Sequence, residues 1–363
     1  MTTEIYDVII VGGGPAGATV AKYLAKAEKK VLLLQKDLSF KKPCGGGIRA
    51  DTFSEFEISS DSIVKKVTEI VLETKSKKTT FDISASPLAI VDRVRFDKEL
   101  RNAAKDAGAE IIEGKVTGVD ILDAGVRVSA NIGEESQTYE AEYLIAADGV
   151  YSFVRKTIHK EEVPKTLVHY ADIDTMVTDK CHFYFGSALA GRAYAWRFPY
   201  VQGSDVGTLS SRHNKKHIHA LFSFLKVRTE EKIKGYCIPE WEDPVFYDRR
   251  VFYVGDAAGQ VLPFTYEGIY YAMKSAKILS EVIIEDMHPS EYEKRWNRFY
   301  LKKFTLLKRL QSLFLRNDLA IHIMMKTLEK PSVKQKVLTL WMGEYALKIN
   351  AGFLWRVTRQ LFR

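Results

Sequence analysis

The sequence predicts an α/β fold with three parts: a domain built on parallel strands, an inserted antiparallel-sheet domain and a helical C-terminal region. Residues 6–34 follow the order strand, glycine turn, helix, strand, which is the start of a βαβ unit. Aromatic and β-branched runs separated by turn residues recur over residues 167–209, as in an antiparallel sheet. From Glu291 onward, apolar residues fall at helical spacing almost to the end of the chain.

Length and composition exclude several classes of protein. A chain of 363 residues has room for two domains at roughly 150 residues each. Its 46% hydrophobic and 28% charged residues exclude fibrous and intrinsically disordered classes. The longest stretch without a charge, Val8–Ala21, has 14 residues, whereas a spanning helix needs about 18 or more. We therefore predict no membrane-spanning segment.

The cysteines and the N-terminus predict an intracellular compartment. Cys44, Cys181 and Cys237 are an odd and sparse set, unlike the framework of a disulfide-stabilised secreted protein. The opening residues, MTTEIYDVII, have neither the basic region nor the cleavage site of a signal peptide. We expect a reducing, cytoplasmic environment and structural roles for Cys181 and Cys237.

The first strand and helix enclose a nucleotide-binding motif. Residues 6–11 are a mostly apolar strand and residues 18–27 an alanine-rich helix, and the turn between them has the pattern G-x-G-x-x-G. Such glycines let the backbone approach a pyrophosphate, which faces the helix N-terminus. The pattern predicts a Rossmann-like dinucleotide site. Its expected contacts are Gly12, Gly14, Pro15, Ala16 and Gly17.

The second strand, residues 31–34, ends where an acidic residue ordinarily binds the adenosine ribose. This chain has Gln35 and Lys36 at that point, and both are candidate cofactor contacts. The amide oxygen of Gln35 can accept a hydrogen bond, but without the strength that a charge adds. Asp37 is the alternative acceptor, and the sequence leaves both open.

The middle of the chain is predicted to consist of short strands around one helix. The helix covers residues 96–107 and ends at Gly108. A further helix begins near Glu267. The expected strands lie near residues 67–74, 79–84, 89–92, 110–113, 126–130, 143–147, 182–185, 192–198, 205–209 and 251–254.

Two further segments narrow the nucleotide to FAD. Residues 146–155, AADGVYSFVR, and residues 254–259, VGDAAG, each follow a predicted strand, with Pro263 and the run 267–269, EGI, downstream. Together with the glycine turn, they resemble in type and order the motifs of the FAD-dependent hydroxylase and reductase superfamily of the para-hydroxybenzoate hydroxylase fold. This resemblance implies that FAD is the cofactor.

The same resemblance implies roles for individual residues. Asp256 would bind the ribityl hydroxyls, and Asp148 with Gly149 would brace the pyrophosphate. Arg93 would contact FAD, although it could also be a solvated charge at a helix start. Backbone N–H groups at a helix N-terminus would face flavin N1 and the C2 carbonyl and favour the anionic reduced flavin. These N–H donors are Gly268 and Ile269, and the other implied cofactor contacts are Cys44, Gly45, Gly47, Val116 and Gly255.

Within that superfamily, two motifs resemble the geranylgeranyl reductase family. Residues 42–48, KPCGGGI, are similar to its Cys-Gly-Gly-Gly loop beside the isoalloxazine. Residues 193–199, AYAWRFP, followed by Val206 and Gly207, are similar to its aromatic Tyr-x-Trp-x-Phe-Pro signature. The resemblance implies an FAD-dependent reductase that saturates carbon–carbon double bonds of an isoprenoid chain on a lipid or a prenylated quinone.

Reduction of an unactivated alkene requires a hydride, a proton and a dry, apolar site. Tyr194, Trp196 and Phe198 alternate, so on a strand they project from one face and could form an apolar wall or simply the core of the sheet. Cys44 either donates the proton, since a thiol is mostly protonated at neutral pH, or packs against the flavin. These four are the candidate catalytic residues, and we predict no metal site.

Other functions remain open at this stage. An oxygen-using hydroxylase, epoxidase or halogenase of the same superfamily is one, although Cys44 with its triple glycine argues against it. A flavoprotein whose basic tail binds RNA is another, although helical core spacing in the tail argues against nucleic acid as a partner. Since the chain has a single G-x-G-x-x-G motif, the reductant that reaches the flavin is NAD(P)H or a small redox protein.

The positive charge is concentrated near the end of the chain. Residues 290–363 contain 16 Lys and Arg against 5 Asp and Glu, which gives +11 there and −3 over residues 1–289. This region either covers the core with its basic side in solvent or binds anionic headgroups at the inner membrane surface. Basic residues at seven-residue spacing predict one face of a helix: Arg295, Lys302, Arg309 and Arg316. Apolar residues at intervals of three and four predict another face: Tyr300, Phe304, Leu307, Leu310 and Phe314.

These features divide the chain into three predicted regions. The FAD-binding domain is expected over residues 1–60, 92–160 and 247–290. The substrate-binding sheet domain takes residues 61–91 and 161–246, and the helical C-terminal region residues 291–363.

Overall fold

The computed structural model describes residues 5–210, 215–227 and 232–343. The predicted end of the helical region, residues 344–363, lies outside these described residues. The chain forms two compact units, and each is assembled from three stretches. The first unit contains Met1–Val64, Val91–Thr166 and Cys237–Trp296, and the second contains Lys65–Ile90, Leu167–Tyr236 and Asn297–Arg363.

The elements follow in chain order. The strands are β1 (Ile5–Val11), β2 (Val31–Gln35), β3 (Gly47–Arg49), β4 (Ile63–Val67), β5 (Glu69–Glu73), β6 (Lys78–Asp82), β7 (Leu88–Val91), β8 (Glu110–Glu113), β9 (Lys115–Ile121), β10 (Val126–Ile132), β11 (Glu135–Ala146), β12 (Lys165–Ile173), β13 (Cys181–Tyr184), β14 (Ala195–Pro199), β15 (Ser204–Ser210), β16 (Lys234–Pro239), β17 (Tyr247–Asp248) and β18 (Val251–Tyr253). The α-helices are α1 (Pro15–Lys26), α2 (Asp51–Glu55), α3 (Arg93–Asp106), α4 (Phe153–Ile158), α5 (Ser187–Ala190), α6 (Lys216–Leu225), α7 (Ile269–Ile284), α8 (Ser290–Trp296), α9 (Lys302–Phe314), α10 (Asp318–Thr327) and α11 (Pro331–Met342).

The first unit is built on a sheet in the order β17-β18-β11-β1-β2-β8. The pairs β18–β11, β11–β1, β1–β2 and β2–β8 are parallel, as a Rossmann-like domain requires. The antiparallel strands β9 and β10 extend it from β11. Residues from these strands form a continuous apolar core that includes Ile9, Leu32 and Leu144. This sheet confirms the predicted fold class.

Helix α3 begins three residues before its predicted start. Asp92 follows the buried strand β7, and its carboxylate accepts hydrogen bonds from the N–H groups of Val94 (2.9 Å) and Arg95 (3.1 Å). An aspartate in this position satisfies N–H groups that have no partner within the helix. The early start places Arg93 in the first turn of the helix.

The second unit is built on a sheet in the order β16-β12-β15-β14-β13-β5-β6. The pairs β12–β15, β15–β14, β14–β13 and β5–β6 are antiparallel, but β13 and β5 run parallel, so the predicted antiparallel sheet is mixed at this point. Residues 74–180 separate these two strands, which is ample for a parallel connection. A third, smaller sheet has the order β3-β7-β4.

The described part of the tail corrects the expected basic face. Arg295 lies on α8, a π-helical segment follows over Asn297–Leu301, and Arg316 lies beyond the end of α9. A π-helical turn contains about one residue more than an α-helical turn. Residues seven apart on either side of this segment therefore do not lie on the same face of the helix. The apolar side is buried as expected, with Tyr300, Phe304 and Leu307 at most 7% exposed. Within the described residues, no helix is both long and apolar enough to cross a membrane.

Candidate cofactor site and aromatic face

The glycine turn of the first unit has the shape that a pyrophosphate needs. Gly12 has φ +104°, and a Cβ there would lie 2.3 Å from the carbonyl oxygen of Ala147, so only glycine fits. Gly14 faces open space and precedes Pro15, the first residue of α1. The first turn of α1 contains no acidic residue. An anion can therefore reach unpaired N–H groups and the positive helix end, and these residues fit FAD.

The side chains of Gln35 and Arg101 hold the glycine turn in place. The amide oxygen of Gln35 accepts a hydrogen bond from Gly13 N–H (2.6 Å), and its NH₂ group donates to the Asp37 carbonyl (2.8 Å). Arg101 donates to the carbonyl oxygens of Gly13 (3.1 Å) and Leu38 (2.8 Å). Gln35 thus supports the loop with the amide oxygen that was one of two candidate ribose acceptors.

Asp37 is the stronger candidate for a ribose contact. Its Oδ1 accepts hydrogen bonds from the hydroxyl (2.6 Å) and the N–H (2.8 Å) of Ser39, and these bonds lower the pKa of the carboxylate. Its other oxygen takes no part in these bonds. Lys36, beside it, is exposed.

The Asp-Gly motif after β11 forms a tight, internally bonded turn. Asp148 accepts hydrogen bonds from Ser152 Oγ (2.6 Å) and Val154 N–H (3.0 Å), although burial raises its pKa. Gly149 has φ +80° and faces open space, so the backbone is accessible there. Val116 lies on β9 in the apolar core and is 8% exposed. Its described contacts are those of a packing residue.

The Gly-Asp motif after β18 joins the Cys-Gly-Gly-Gly loop. Lys42 forms an ion pair with Asp256, whose side chain is only 10% exposed. The preceding Gly255 donates its N–H to Gln260 Oε1 (2.9 Å) and Ser275 Oγ (3.2 Å), so this N–H serves the loop itself. Lys42 lies within the KPCGGGI motif, but the sequence alone predicted no role for it.

Arg93 lies beside Cys44 and is buried. Its guanidinium binds both carboxylate oxygens of Asp97 (2.9–3.2 Å) and interacts electrostatically with Cys44. Burial alone would lower the pKa of Arg93, but Asp97 and Cys44 outweigh it and raise the pKa above its usual value. Arg93 is therefore a fixed positive charge at the thiol. Gly46 N–H, at 3.4 Å, also points at the Cys44 sulfur.

The start of α7 provides the expected helix N-terminus. Gly268 is the residue before the helix, and Ile269 is its first residue. The first N–H groups of a helix have no partner within it, so this end can bind an electron-rich ligand atom. Gly45 belongs to the loop that leads into β3, and Gly47 is the first residue of that strand. Together, the first unit contains every residue that the motifs assign to FAD.

The three predicted wall residues lie in the second unit. Trp196 and Phe198 are on β14 and half-buried, whereas Tyr194 immediately precedes the strand and is 7% exposed. The indole of Trp196 lies against its cross-strand partner Gly207, where a Cβ would come within 2.2 Å of Cζ2. Its N–H donates to the buried carboxylate of Asp205. Gly207 and Asp205 thus fix the orientation of this ring.

Phe183 connects these aromatic side chains. Its ring lies 5.1 Å from both Tyr194 and Phe198 and 5.9 Å from Trp341 on α11, in edge-to-face contacts. We call the set of Phe183, Tyr194, Trp196, Phe198 and Trp341 the aromatic face.

Several of these residues were not found from the sequence. Asp97 and Arg101 look like ordinary surface charges on a helix, and only the fold gives them buried partners. Trp341 and Phe183 lie in segments without a motif. Asp205 directly precedes Val206 and Gly207, which belong to the aromatic signature. This position in the sequence was the one feature that could have identified Asp205.

Comparison with known proteins gives consistent matches. A family model described as "FAD binding domain" matches residues 5–234. The chain is 30% identical to the chloroplastic geranylgeranyl diphosphate reductase of Nicotiana tabacum, over 86% of this chain and 75% of that protein. It is 28% identical to the digeranylgeranylglycerophospholipid reductase of Methanococcus vannielii, over 95% of each chain.

Solved structures share the fold. A geranylgeranyl bacteriochlorophyll reductase-like protein from Thermoplasma acidophilum superimposes with a TM-score of 0.75 at 24% identity, covering 98% of this chain and 99% of that one. The flavin-dependent brominase Bmp2 gives a TM-score of 0.76 at 15% identity, covering 99% and 98%. At these identities, the likeness extends to the fold alone.

Proposed function

The chain belongs to the geranylgeranyl reductase family of FAD-dependent oxidoreductases, and we propose that it saturates carbon–carbon double bonds of an isoprenoid chain carried by a lipid or a prenylated quinone. The observation that carries this proposal is the pairing of Cys44 with the buried, charged Arg93, in the loop that Lys42 ties to Asp256. An acid beside the cofactor loop suits alkene reduction, because the alkene itself carries no acidic group that could supply the proton.

Cys44 is the proposed proton donor. Reduced FAD, when bound, would supply a hydride to one alkene carbon and be oxidised to FAD, and the Cys44 thiol proton would go to the neighbouring carbon. The Arg93 guanidinium and the Gly46 N–H, 3.4 Å from the sulfur, would face the thiolate left behind. Water returns the proton, so the net change is addition of two hydrogen atoms across the double bond.

The proposed FAD contacts follow from the geometry of the first unit. Gly12, Gly14 and the N-terminus of α1 would hold the pyrophosphate, and Asp37 would accept a hydrogen bond from the ribose. Asp256 would bind the ribityl hydroxyls, and the first N–H groups of α7 would bind the flavin ring.

The aromatic face is the proposed binding surface for the isoprenoid chain. Its half-buried rings present apolar area, and the buried Phe183 and Tyr194 hold them in place. Apolar contact stabilises the bound chain by about 25 cal/mol per Å² buried.

Electrons and membrane access are further parts of the proposal. NAD(P)H or a small redox protein reduces the flavin; bleaching of the flavin spectrum under anaerobic conditions with each donor decides between them.

The tail supports binding to anionic headgroups, because Lys302, Arg309 and Arg316 are exposed and form no ion pair with any described residue. Each basic residue near such a surface contributes about 1 kcal/mol. Flotation with phosphatidylglycerol vesicles, against phosphatidylcholine vesicles, tests this.

The activity itself is tested on the FAD-loaded protein. After anaerobic reduction with dithionite, it is mixed with geranylgeranyl diphosphate, digeranylgeranyl glycerophospholipid or a prenylated quinone. We expect flavin reoxidation together with a mass gain of two hydrogens per turnover in at least one of them. No mass gain in any of the three, or reoxidation that requires oxygen, would overturn the proposal.

A further inference from the structure

Trp341 is the one member of the aromatic face that comes from the tail. It lies in the last turn of α11, and its ring is 5.9 Å from that of Phe183, at an interplanar angle of 84°. The side chain is half-buried, like those of Trp196 and Phe198, whereas Phe183 is 6% exposed. Three large rings of the set thus keep accessible surface around a buried one.

The position of α11 depends on a buried lysine. Lys303 on α9 is 0% exposed, and its ammonium group donates to the carbonyl oxygens of Trp341 (3.1 Å) and Gly343 (2.6 Å). A cation is favourable at a helix C-terminus, where carbonyl groups have no partner within the helix. Burial of an ammonium group is unfavourable unless such bonds form, so Lys303 holds the end of α11 in one position.

A second link fixes the other end of α11. Lys334 donates to the Thr80 carbonyl (3.0 Å), and its ammonium group lies 5.6 Å from the centre of the Phe81 ring on β6. The helix is thus attached to the sheet through β6 and to α9 through Lys303. Trp341 has little freedom to leave Phe183.

We propose that Trp341 is a specificity-determining residue for the isoprenoid chain, and that Lys303 is the positioning residue that holds it over the aromatic face. The inference rests on the proposed function, because that function assigns the chain to this face. It adds that the tail supplies one wall of the site. A flexible side chain there would lose rotamer freedom on binding, whereas a fixed indole does not.

The test is kinetic and needs two variants. Trp341→Ala removes the wall, and Phe224→Ala is the matched control, since Phe224 is half-buried on α6 and contacts Tyr184 on the opposite face of the same sheet. We expect Trp341→Ala to raise the KM for geranylgeranyl diphosphate at least about tenfold with little change in kcat, as for loss of uniform binding. Phe224→Ala should leave KM unchanged. An unchanged KM in Trp341→Ala would overturn the proposal.

Binding of radiolabelled geranylgeraniol, by equilibrium dialysis, separates this inference from the proposed activity. If the wild type reduces no prenyl substrate but Trp341→Ala weakens this binding tenfold, the proposed reductase function is wrong, whereas the role of Trp341 in binding the isoprenoid chain is supported. If Trp341→Ala does not fold, Trp341→Leu is measured in the same way. Equal affinity of a folded variant and the wild type counts against the wall.

Lys303 is tested through its dependence on Trp341. Lys303→Met keeps the apolar stem and removes the donors, and we expect it to raise KM severalfold. In a double-mutant cycle, Lys303→Met should raise KM by less than twofold when it is added to Trp341→Ala, because Lys303 acts through the Trp341 ring. Independent, multiplicative effects would show a general loss of packing and exclude the positioning role.

Discussion

The ammonium group of Lys42 and the carboxylate of Asp256, 214 residues apart in the chain, form an ion pair that joins the Cys-Gly-Gly-Gly loop to the Gly-Asp motif. Both side chains are largely shielded from water, with 25% and 10% exposure. A cofactor that binds Asp256 therefore meets a carboxylate that is already oriented and neutralised.

Removal of either partner should weaken FAD binding. We expect Asp256→Ala to raise the Kd for FAD about 10- to 100-fold, because a hydrogen bond to a charged group contributes about 1.5–3 kcal/mol. Lys42→Met should raise it severalfold by leaving the carboxylate without its opposite charge. Quenching of flavin fluorescence measures both. Lys26→Met is the control, since Lys26 pairs with the exposed Glu57 (2.8 Å), and a similar loss there would exclude a specific role for Lys42.

Substitution of Cys44 should separate proton transfer from flavin reduction. We expect Cys44→Ala to slow prenyl reduction about 100-fold, the lower range for loss of a general acid, while the rate of flavin reduction by dithionite stays the same. Stopped-flow absorbance measures the two half-reactions separately. Cys237→Ala, a half-buried cysteine of the same unit, should retain full activity. A fully active Cys44→Ala would assign the cysteine to packing.

A methyl group at Gly207 should displace the Trp196 indole. The Cβ would lie 2.2 Å from Cζ2, so we expect Gly207→Ala to destabilise the protein by about 1–3 kcal/mol and to change the near-ultraviolet circular dichroism. Gly235→Ala on β16 is the control, because its Cβ would meet no atom closer than 3.6 Å. The control should be neutral or slightly stabilising, since glycine weakens a strand. Equal effects at both positions would contradict the close contact.

Stability should fall between pH 6.5 and 4 because of His182. Burial first, and then the nearby Arg197, lower its pKa to about 4, so in this range the unfolded state binds the proton and the folded state does not. Stability due to the neutral imidazole is thus present above pH 6.5 and lost as the pH falls towards 4. The charged groups around the ring are Arg197, Glu73, Lys78, Lys180 and Asp179.

Urea unfolding at pH 7 and pH 5 measures this effect. His182→Gln should lose less stability than the wild type over that interval, by on the order of 1–2 kcal/mol. Identical pH dependence in the two proteins would mean that His182 is protonated without cost in the folded state.

Local sequence patterns predicted the parts of the site that lie within one motif. The turn at Gly12 and the helix start at Gly268 depend on neighbours in the chain, so their geometry could be predicted from a few residues. The partners of those motifs could not, because Arg101 meets Gly13 only through packing of α3 against α1. The same holds for Trp341, which lies more than 150 residues beyond Phe183 and follows no motif.

Periodicity misled the prediction where the helix changes its pitch. Arg295 and Lys302 are seven residues apart, but the π-helical segment over Asn297–Leu301 lies between them. The sequence of this segment does not predict the π-helix, since the segment contains neither glycine nor proline. The pairing of β13 with β5 was equally hidden, because parallel pairing joins strands that are distant in the chain.

The division of each unit into three stretches has a consequence for biosynthesis. β1 pairs with β11, so Ile5 cannot form its strand pairing until Glu140 has been synthesised. The motif after β18 is synthesised more than 100 residues later than Glu140. Sheets closed by such distant partners fold slowly, and the ribosome adds only about 5–20 residues per second. The first unit is therefore complete only after Trp296 has been made, and no continuous fragment of the gene encodes it alone, because the stretches Lys65–Ile90 and Leu167–Tyr236 of the second unit lie between its parts.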